Sequence, residues 1–247
     1  MKNKKSVIIS TNLPFLGYDF VNEISNLTNI ELIIIQKIKF SFLNSIKNKI
    51  YNFIIIFLMN RLKDFKRHKI LNYGKREKLL LDLCKQKNIN YILTYDINND
   101  IKVKEMLVNA SSKYVLNLGG KIIKKELINL SKLIWINGHS GILPEYRGLC
   151  SEYWAIRNGD LNKLGCTIHI LTEKIDYGDI IMKNHISYKK VPLYQIEYKN
   201  HINLISTYIS AFKLILEDSL NKFTTFDKRN SNYYSSPKNY SIKRLII

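Results

Sequence analysis

The chain reads as an α/β protein, a mostly parallel, Rossmann-like twisted sheet with helices on both faces and a short C-terminal extension. Three observations carry that reading. Short, nearly continuous apolar runs recur between amphipathic stretches, as strands buried on both faces require. Polar residues and glycine gather at the ends of several runs, where strand-to-helix turns belong. With 247 residues, 46% of them hydrophobic, the chain can bury one substantial core.

Residues 6–10 form the first expected strand, 19–27 a helix and 31–35 a second strand, together a β-α-β unit. After an interruption the alternation resumes with a helix over 76–87, a strand over 91–94, a helix near 103–109 and a strand over 114–117. A helix over 124–130 and a strand over 133–136 follow, then strands over 165–172 and 180–182. Residues 193–216 read as one long helix, with Ile196, Ile202, Leu204, Ile205, Ile209, Phe212 and Leu216 as its apolar positions. The segment 223–247 mixes Thr, Ser, Tyr and Asn with Pro237, which suits a surface-hugging tail or a β-hairpin. The expected organisation is a catalytic domain over 1–188 with an insert at about 37–74, then a C-terminal helix and tail over 189–247. The insert sets eight Lys and Arg residues, from Lys39 to Lys69, among bulky apolar ones. Packing on the core is the favoured reading, and weak contact with an anionic membrane surface the alternative.

The net charge of +19 raises nucleic acid or an anionic surface as a partner. Only seven of the 39 basic residues are arginine, however, and lysine, isoleucine and asparagine are abundant together. That bias matches an AT-rich genome with dispersed, solvated lysines, so no nucleic-acid partner is expected. Cys84, Cys150 and Cys166 are odd in number and lack C-x-x-C spacing, which argues against a disulfide framework or a zinc site and for a reducing cytoplasm. No metal is expected. No apolar run approaches the ~20 residues of a membrane span, and the run after the basic residues 1–5 is too short for a signal-peptide core.

Ligands of open α/β sheets bind beyond the carboxyl ends of the strands, so the loops after residues 117 and 136 are where chemistry belongs. There the chain reads Asn137-Gly138-His139-Ser140-Gly141, and on through Leu143-Pro144 to Tyr146-Arg147-Gly148. Alternation along a strand points Asn137 and His139 into one pocket. Gly138, Ser140 and Gly141 let a ligand approach the backbone, and Pro144 and Gly148 fix a turn. A later polar loop places Asp176 and Asp179 beside Gly178. Acyl transfer to an amine requires a base, a donor for the developing oxyanion and a group that orients the base, roles that His139, Asn137 and Asp176 can fill. His169 fits either a pocket residue or a satisfied core histidine; His68, His185 and His201 read as incidental.

These motifs resemble the folate-dependent formyltransferase family, which includes phosphoribosylglycinamide formyltransferase, methionyl-tRNA formyltransferase and the sugar N-formyltransferases. The resemblance rests on Asn137-x-His139, Leu143-Pro144, Tyr146-Arg147-Gly148 and Asp176-Tyr177-Gly178, in order and spacing, and covers about 116–188. It implies that Asn137 and His139 hold and polarise a formyl carbonyl while Asp176 orients His139 and helps relay a proton. It implies 10-formyltetrahydrofolate as co-substrate, with Gly119, Gly120, Lys121, Ile122 and Ile123 lining the pterin pocket and Asp179 on the same side. Ser140-Gly141 departs from the family's pattern, and the insert at 37–74 has no match in it. Among acceptors, methionyl-tRNA enzymes continue into a sizeable C-terminal β-barrel, for which 189–247 is too short, and purine-pathway enzymes lack an aromatic tail. The expected acceptor is therefore a nucleotide-linked amino deoxy sugar for surface polysaccharide, such as lipopolysaccharide O-antigen. Tyr146, Arg147, Tyr153, Trp154, Tyr233 and Tyr234 are its expected contacts, and a homodimer is compatible with this reading. The competing class, a non-catalytic basic binder of nucleic acid or membrane, leaves Asn137, His139 and Asp176 unexplained.

Overall fold

A computed structural model of the chain describes residues 6–12, 14–37, 73–130, 132–217 and 224–238. Nearly all of the insert expected at 37–74 lies outside these residues, as does the end of the tail from 239. Nine strands and six helices are described in chain order: β1 (Ser6–Thr11), α1 (Pro14–Leu27), β2 (Asn29–Gln36), α2 (Tyr73–Gln86), β3 (Tyr91–Thr94), α3 (Ile101–Val108), β4 (Tyr114–Leu118), α4 (Lys125–Ile128), β5 (Ile134–His139), β6 (Arg147–Gly148), α5 (Ser151–Arg157), β7 (Gly165–Ile170), β8 (Ile180–His185), α6 (Leu193–Leu216) and β9 (Tyr233–Tyr234).

Seven strands form one sheet in the order β3-β2-β1-β4-β5-β7-β8. The first five run parallel, and β7 and β8 are antiparallel to their neighbours. Alternation divides the core between two faces. Val7 and Ile9 of β1, Ile33 and Ile35 of β2 and Ile136 of β5 pack with residues of α1, α2 and α6. Their neighbours Ile8, Leu32, Ile34, Val115 and Trp135 pack on the opposite side with Val103, Leu107 and Leu127 from α3 and α4. Runs such as Ile33-Ile34-Ile35 are apolar throughout because each residue meets a helix layer.

Some boundaries differ from the sequence reading in ways that bear on the site. β5 continues to His139, three residues beyond the expected strand end, so Asn137 and His139 belong to the strand itself. The helix α5 was not expected, since seven residues are too few to display a helical period. Its entry at Cys150 is left-handed, with φ 59°. The tail forms no hairpin with itself among the described residues. Instead Tyr233 and Tyr234 pair in parallel with Arg147 and Gly148, and Thr224 bridges to Ile180.

Candidate active site

The carboxyl ends of β4 and β5 lie side by side, with Asn117 in register with Asn137. Between β5 and the antiparallel β7, Asn137 faces His169 and His139 faces Thr167. A Cβ on Gly138 would come within 2.9 Å of the Tyr208 ring and 3.2 Å of Leu204 on α6. Gly138 thus turns toward that helix while Asn137 and His139 turn away from it together, as the alternation predicts. The Tyr208 hydroxyl donates to the Ile136 carbonyl at 2.7 Å, bracing β5 from behind.

Five side chains meet at this edge. The Asn117 amide donates to Oδ1 of Asn137 at 2.7 Å, and Nδ2 of Asn137 lies 3.1 Å from Nε2 of His169. On the other side of that ring, Nδ1 lies 2.9 Å from the Ile170 carbonyl. A carbonyl only accepts, so neutral His169 carries its proton on Nδ1 and its Nε2 accepts from Asn137. The same logic fixes His139. Its Nε2 lies 2.7 Å from the Tyr146 carbonyl and must donate, which leaves Nδ1 as the basic nitrogen, 3.6 Å from Oδ2 of Asp176. Oδ1 of Asp176 stands 3.5 Å from Nε2 of His169, and the Gly148 N–H donates to Oδ2 at 2.9 Å.

His139 and Asp176 are each 7% exposed and His169 is fully buried. Burial by itself raises the Asp176 carboxyl pKa, but when the imidazoles are protonated the His139 charge, the His169 hydrogen bond and charge, and the Gly148 N–H together hold it well below the usual carboxylate range. Asp176 is therefore a fixed negative charge facing two imidazoles. Its backbone is left-handed, φ 50°, a conformation that aspartate and asparagine tolerate better than most residues.

A cavity of about 290 Å³ opens over this cluster, lined by Asn117, Asn137, His139 and Asp176. Gly119, Gly120, Lys121, Ile122 and Ile123 form one wall, and Leu171, Thr172 and Ile175 continue it. That wall is held from beneath. Oε1 of Gln36 accepts from the Lys121 N–H at 3.0 Å, while the Gln36 amide donates to Ser10 at 2.9 Å. Asn98 donates to the Ile122 carbonyl and accepts from the Lys124 N–H. Gly120 has φ 130°, and a Cβ there would stand 2.5 Å from the Gln36 amide. The remaining wall comprises Gly148, Leu149 and Tyr233 on one side and Ser140, His201 and Leu204 on the other.

Not every residue singled out in the sequence lines this cavity. Asp179 is exposed and accepts from the Phe226 N–H at 3.4 Å. Arg147 points away, giving two hydrogen bonds to the Ile175 carbonyl and one to Ser231, with its guanidinium 4.6 Å from the Tyr177 ring centre. Tyr153 is only 2% exposed, within an apolar cluster. The Tyr146 hydroxyl donates to Asp160, and its ring stacks on Tyr234, which stacks in turn on Trp154. Of the aromatic set only Tyr233, 53% exposed, reaches the cavity. Conversely, His201 lines it although its sequence context gave no sign, and His169, fully buried, backs Asn137 and Asp176 from behind without lining the cavity. Asn117 could have been found by counting, because it stands one residue from the end of β4 as Asn137 nears the end of β5.

Fold and site together define an α/β protein with an Asn–His–Asp constellation at the carboxyl edge of a mostly parallel sheet. The chain belongs to the formyl transferase family, whose model matches residues 66–191. A curated relative, the methionyl-tRNA formyltransferase of Clostridium acetobutylicum, is 32% identical over 122 residues, covering 47% of this chain and 39% of that protein. The chain thus spans about two fifths of that relative's length. Among solved structures, WlaRD, a sugar 3N-formyl transferase crystallised in the presence of dTDP and 5-N-formyl-THF, superposes with a TM-score of 0.62 at 18% identity, covering 99% of this chain and 78% of WlaRD. The phosphoribosylglycinamide formyltransferase of Bacillus halodurans gives 0.62 at 16% identity, with 90% and 100% covered. These likenesses establish the fold. No helix among the described residues is long and apolar enough to cross a membrane.

Proposed function

We propose that the chain transfers a formyl group from 10-formyltetrahydrofolate to the amine of a nucleotide-linked amino deoxy sugar. The observation that carries the chemistry is His139, whose Nε2 is committed to the Tyr146 carbonyl so that Nδ1 remains as a base backed by Asp176. In this reading the amine gives up a proton to Nδ1 of His139, and Asp176 stabilises the resulting imidazolium. The amine nitrogen bonds to the formyl carbon, and the carbonyl electrons move onto oxygen. Nδ2 of Asn137 spends one N–H on His169, and its second N–H serves the oxyanion. Collapse of the intermediate breaks the bond from the formyl carbon to N10 of the folate, and N10 takes up the proton that His139 received from the amine. The pterin lies along Gly119–Ile123, whose backbone groups Gln36 and Asn98 hold in place.

Support for a sugar acceptor comes from the mouth of the cavity, where Leu149 and Tyr233 are 56% and 53% exposed, and from likeness to WlaRD over nearly the whole chain. Transfer to methionyl-tRNA is the second reading, favoured by the curated relative in Clostridium. The deciding experiment supplies 10-formyltetrahydrofolate with a panel of nucleotide-linked 3-amino and 4-amino deoxyhexoses, glycinamide ribonucleotide and charged initiator tRNA. Formylation of a sugar nucleotide is expected, and robust formylation of tRNA with none of any sugar overturns the assignment.

A further inference from the structure

The segment Tyr146-Arg147-Gly148 is a two-sided backbone ladder. On its inner edge the Tyr146 carbonyl holds Nε2 of His139, and the Gly148 N–H holds Asp176. On its outer edge the Arg147 N–H donates to the Asn232 carbonyl at 3.0 Å, and the Leu149 N–H to the Tyr234 carbonyl at 2.9 Å. The groups that orient the base and its carboxylate are therefore hydrogen-bonded, through one short strand, to the C-terminal tail.

Tyr234 is the anchor of that tail. Its ring lies between Tyr146 and Trp154, with centroids 5.3 Å from each and interplanar angles of 13° and 27°. Its hydroxyl accepts from the Asn158 amide at 3.0 Å, and the Trp154 indole N–H donates to the Ser235 carbonyl at 2.9 Å. The stack bears directly on Tyr146, the residue whose carbonyl sets the tautomer of His139. We infer that Tyr234 is a positioning residue for the His139–Asp176 pair, acting through the Tyr146–Gly148 strand, and that the tail is part of the catalytic scaffold.

This inference rests on reading His139 and Asp176 as the catalytic pair, and its test therefore includes a measurement that needs no substrate. Full-length protein labelled with 15N-histidine is compared as wild type, Tyr234→Ala and Tyr234→Phe, with His139→Asn used to assign the signal. Wild type and Tyr234→Phe are expected to show neutral His139 as a single tautomer, protonated at Nε2. In Tyr234→Ala the two His139 nitrogens should average, because the Tyr146 carbonyl is released. With whichever acceptor the panel of substrates reveals, Tyr234→Ala should lower kcat on the order of tenfold to a hundredfold with little change in the folate KM, as displacement of a catalytic group does. Tyr234→Phe, which keeps the stack, should restore kcat. If Tyr234→Ala does not fold, Tyr234→Leu, which keeps apolar bulk and loses the stack, is read by the same two measurements. An unchanged His139 signal in a folded, stack-less variant overturns the inference whatever the acceptor proves to be. So does a Tyr234→Phe protein as impaired as Tyr234→Ala.

Discussion

The Tyr146 carbonyl oxygen lies 2.7 Å from Nε2 of His139, so the imidazole meets the cavity with its other nitrogen. The bond leaves no slack for an added atom. A Cβ on Gly141 would stand 2.6 Å from that same Nε2, 2.6 Å from the Tyr146 carbonyl and 2.5 Å from the Ser151 hydroxyl. Gly141→Ala should therefore wedge the pair apart, costing about 1–3 kcal/mol of stability and lowering kcat more than it changes either KM. Urea unfolding beside steady-state kinetics checks both parts. Wild-type kinetics in this variant would show that the contact does not matter to turnover.

Replacing His139 with Asn or Ala should abolish most formyl transfer while the protein stays folded and keeps much of its folate affinity, because the residue acts mainly on the transition state. Asn137→Ala and Asp176→Asn should behave alike, each costing on the order of a hundredfold or more in turnover. Single-turnover assays with equilibrium folate binding measure the two effects separately. Near-normal turnover in folded His139→Ala would remove His139 from the mechanism.

Asp176 also makes a pH prediction. Its folded carboxyl titrates below the unfolded value of about 3.9. Such a group contributes stability that is fully present above the unfolded pKa and lost as pH falls toward the folded one. Asn tolerates the same left-handed backbone, so Asp176→Asn isolates the charge. The stability gap between wild type and this variant should shrink as pH falls below about 4. Denaturant unfolding across that range measures it, and a gap that instead widens in acid would contradict the direction of the shift.

The cysteines should separate by burial. Cys84 and Cys166 are buried, and desolvation, their largest influence, pushes both thiols up to about 11. Cys150, partly exposed at the start of α5, has no such cover. A thiol reagent at pH 7.5 should label Cys150 in the native protein and reach the other two only on unfolding. Mass spectrometry of labelled peptides reads the outcome, and rapid native labelling of Cys166 would count against its burial.

How far the site could be read from the sequence depended on whether its parts were contiguous. Asn137, His139 and the Asp176 loop sit in short motifs whose spacing carries their geometry, because two residues on one strand share a face. Asn117, Ser151, His169 and His201 reach the cluster or the cavity by sheet register and helix packing across separations that no local period records. The tail was harder still. A two-residue strand shows no alternation, and its partner is more than eighty residues away. Tyr233 and Tyr234 both read as acceptor contacts in the sequence, whereas strand geometry sends one toward the cavity and the other into the Tyr146–Trp154 stack.

The reversal of direction between β5 and β7 sets His169 opposite Asn137. Ile168 and Ile170 flank that histidine and point to the other face of the sheet. A slide of β7 by one residue would bring an isoleucine level with Asn137 and leave its amide without the imidazole. Insertions or deletions in the connector 140–164 are thus tolerable only when wholly absorbed before Gly165. In evolutionary terms the cluster acts as a register lock on the antiparallel edge: drift in the phase of β7 is not tolerated.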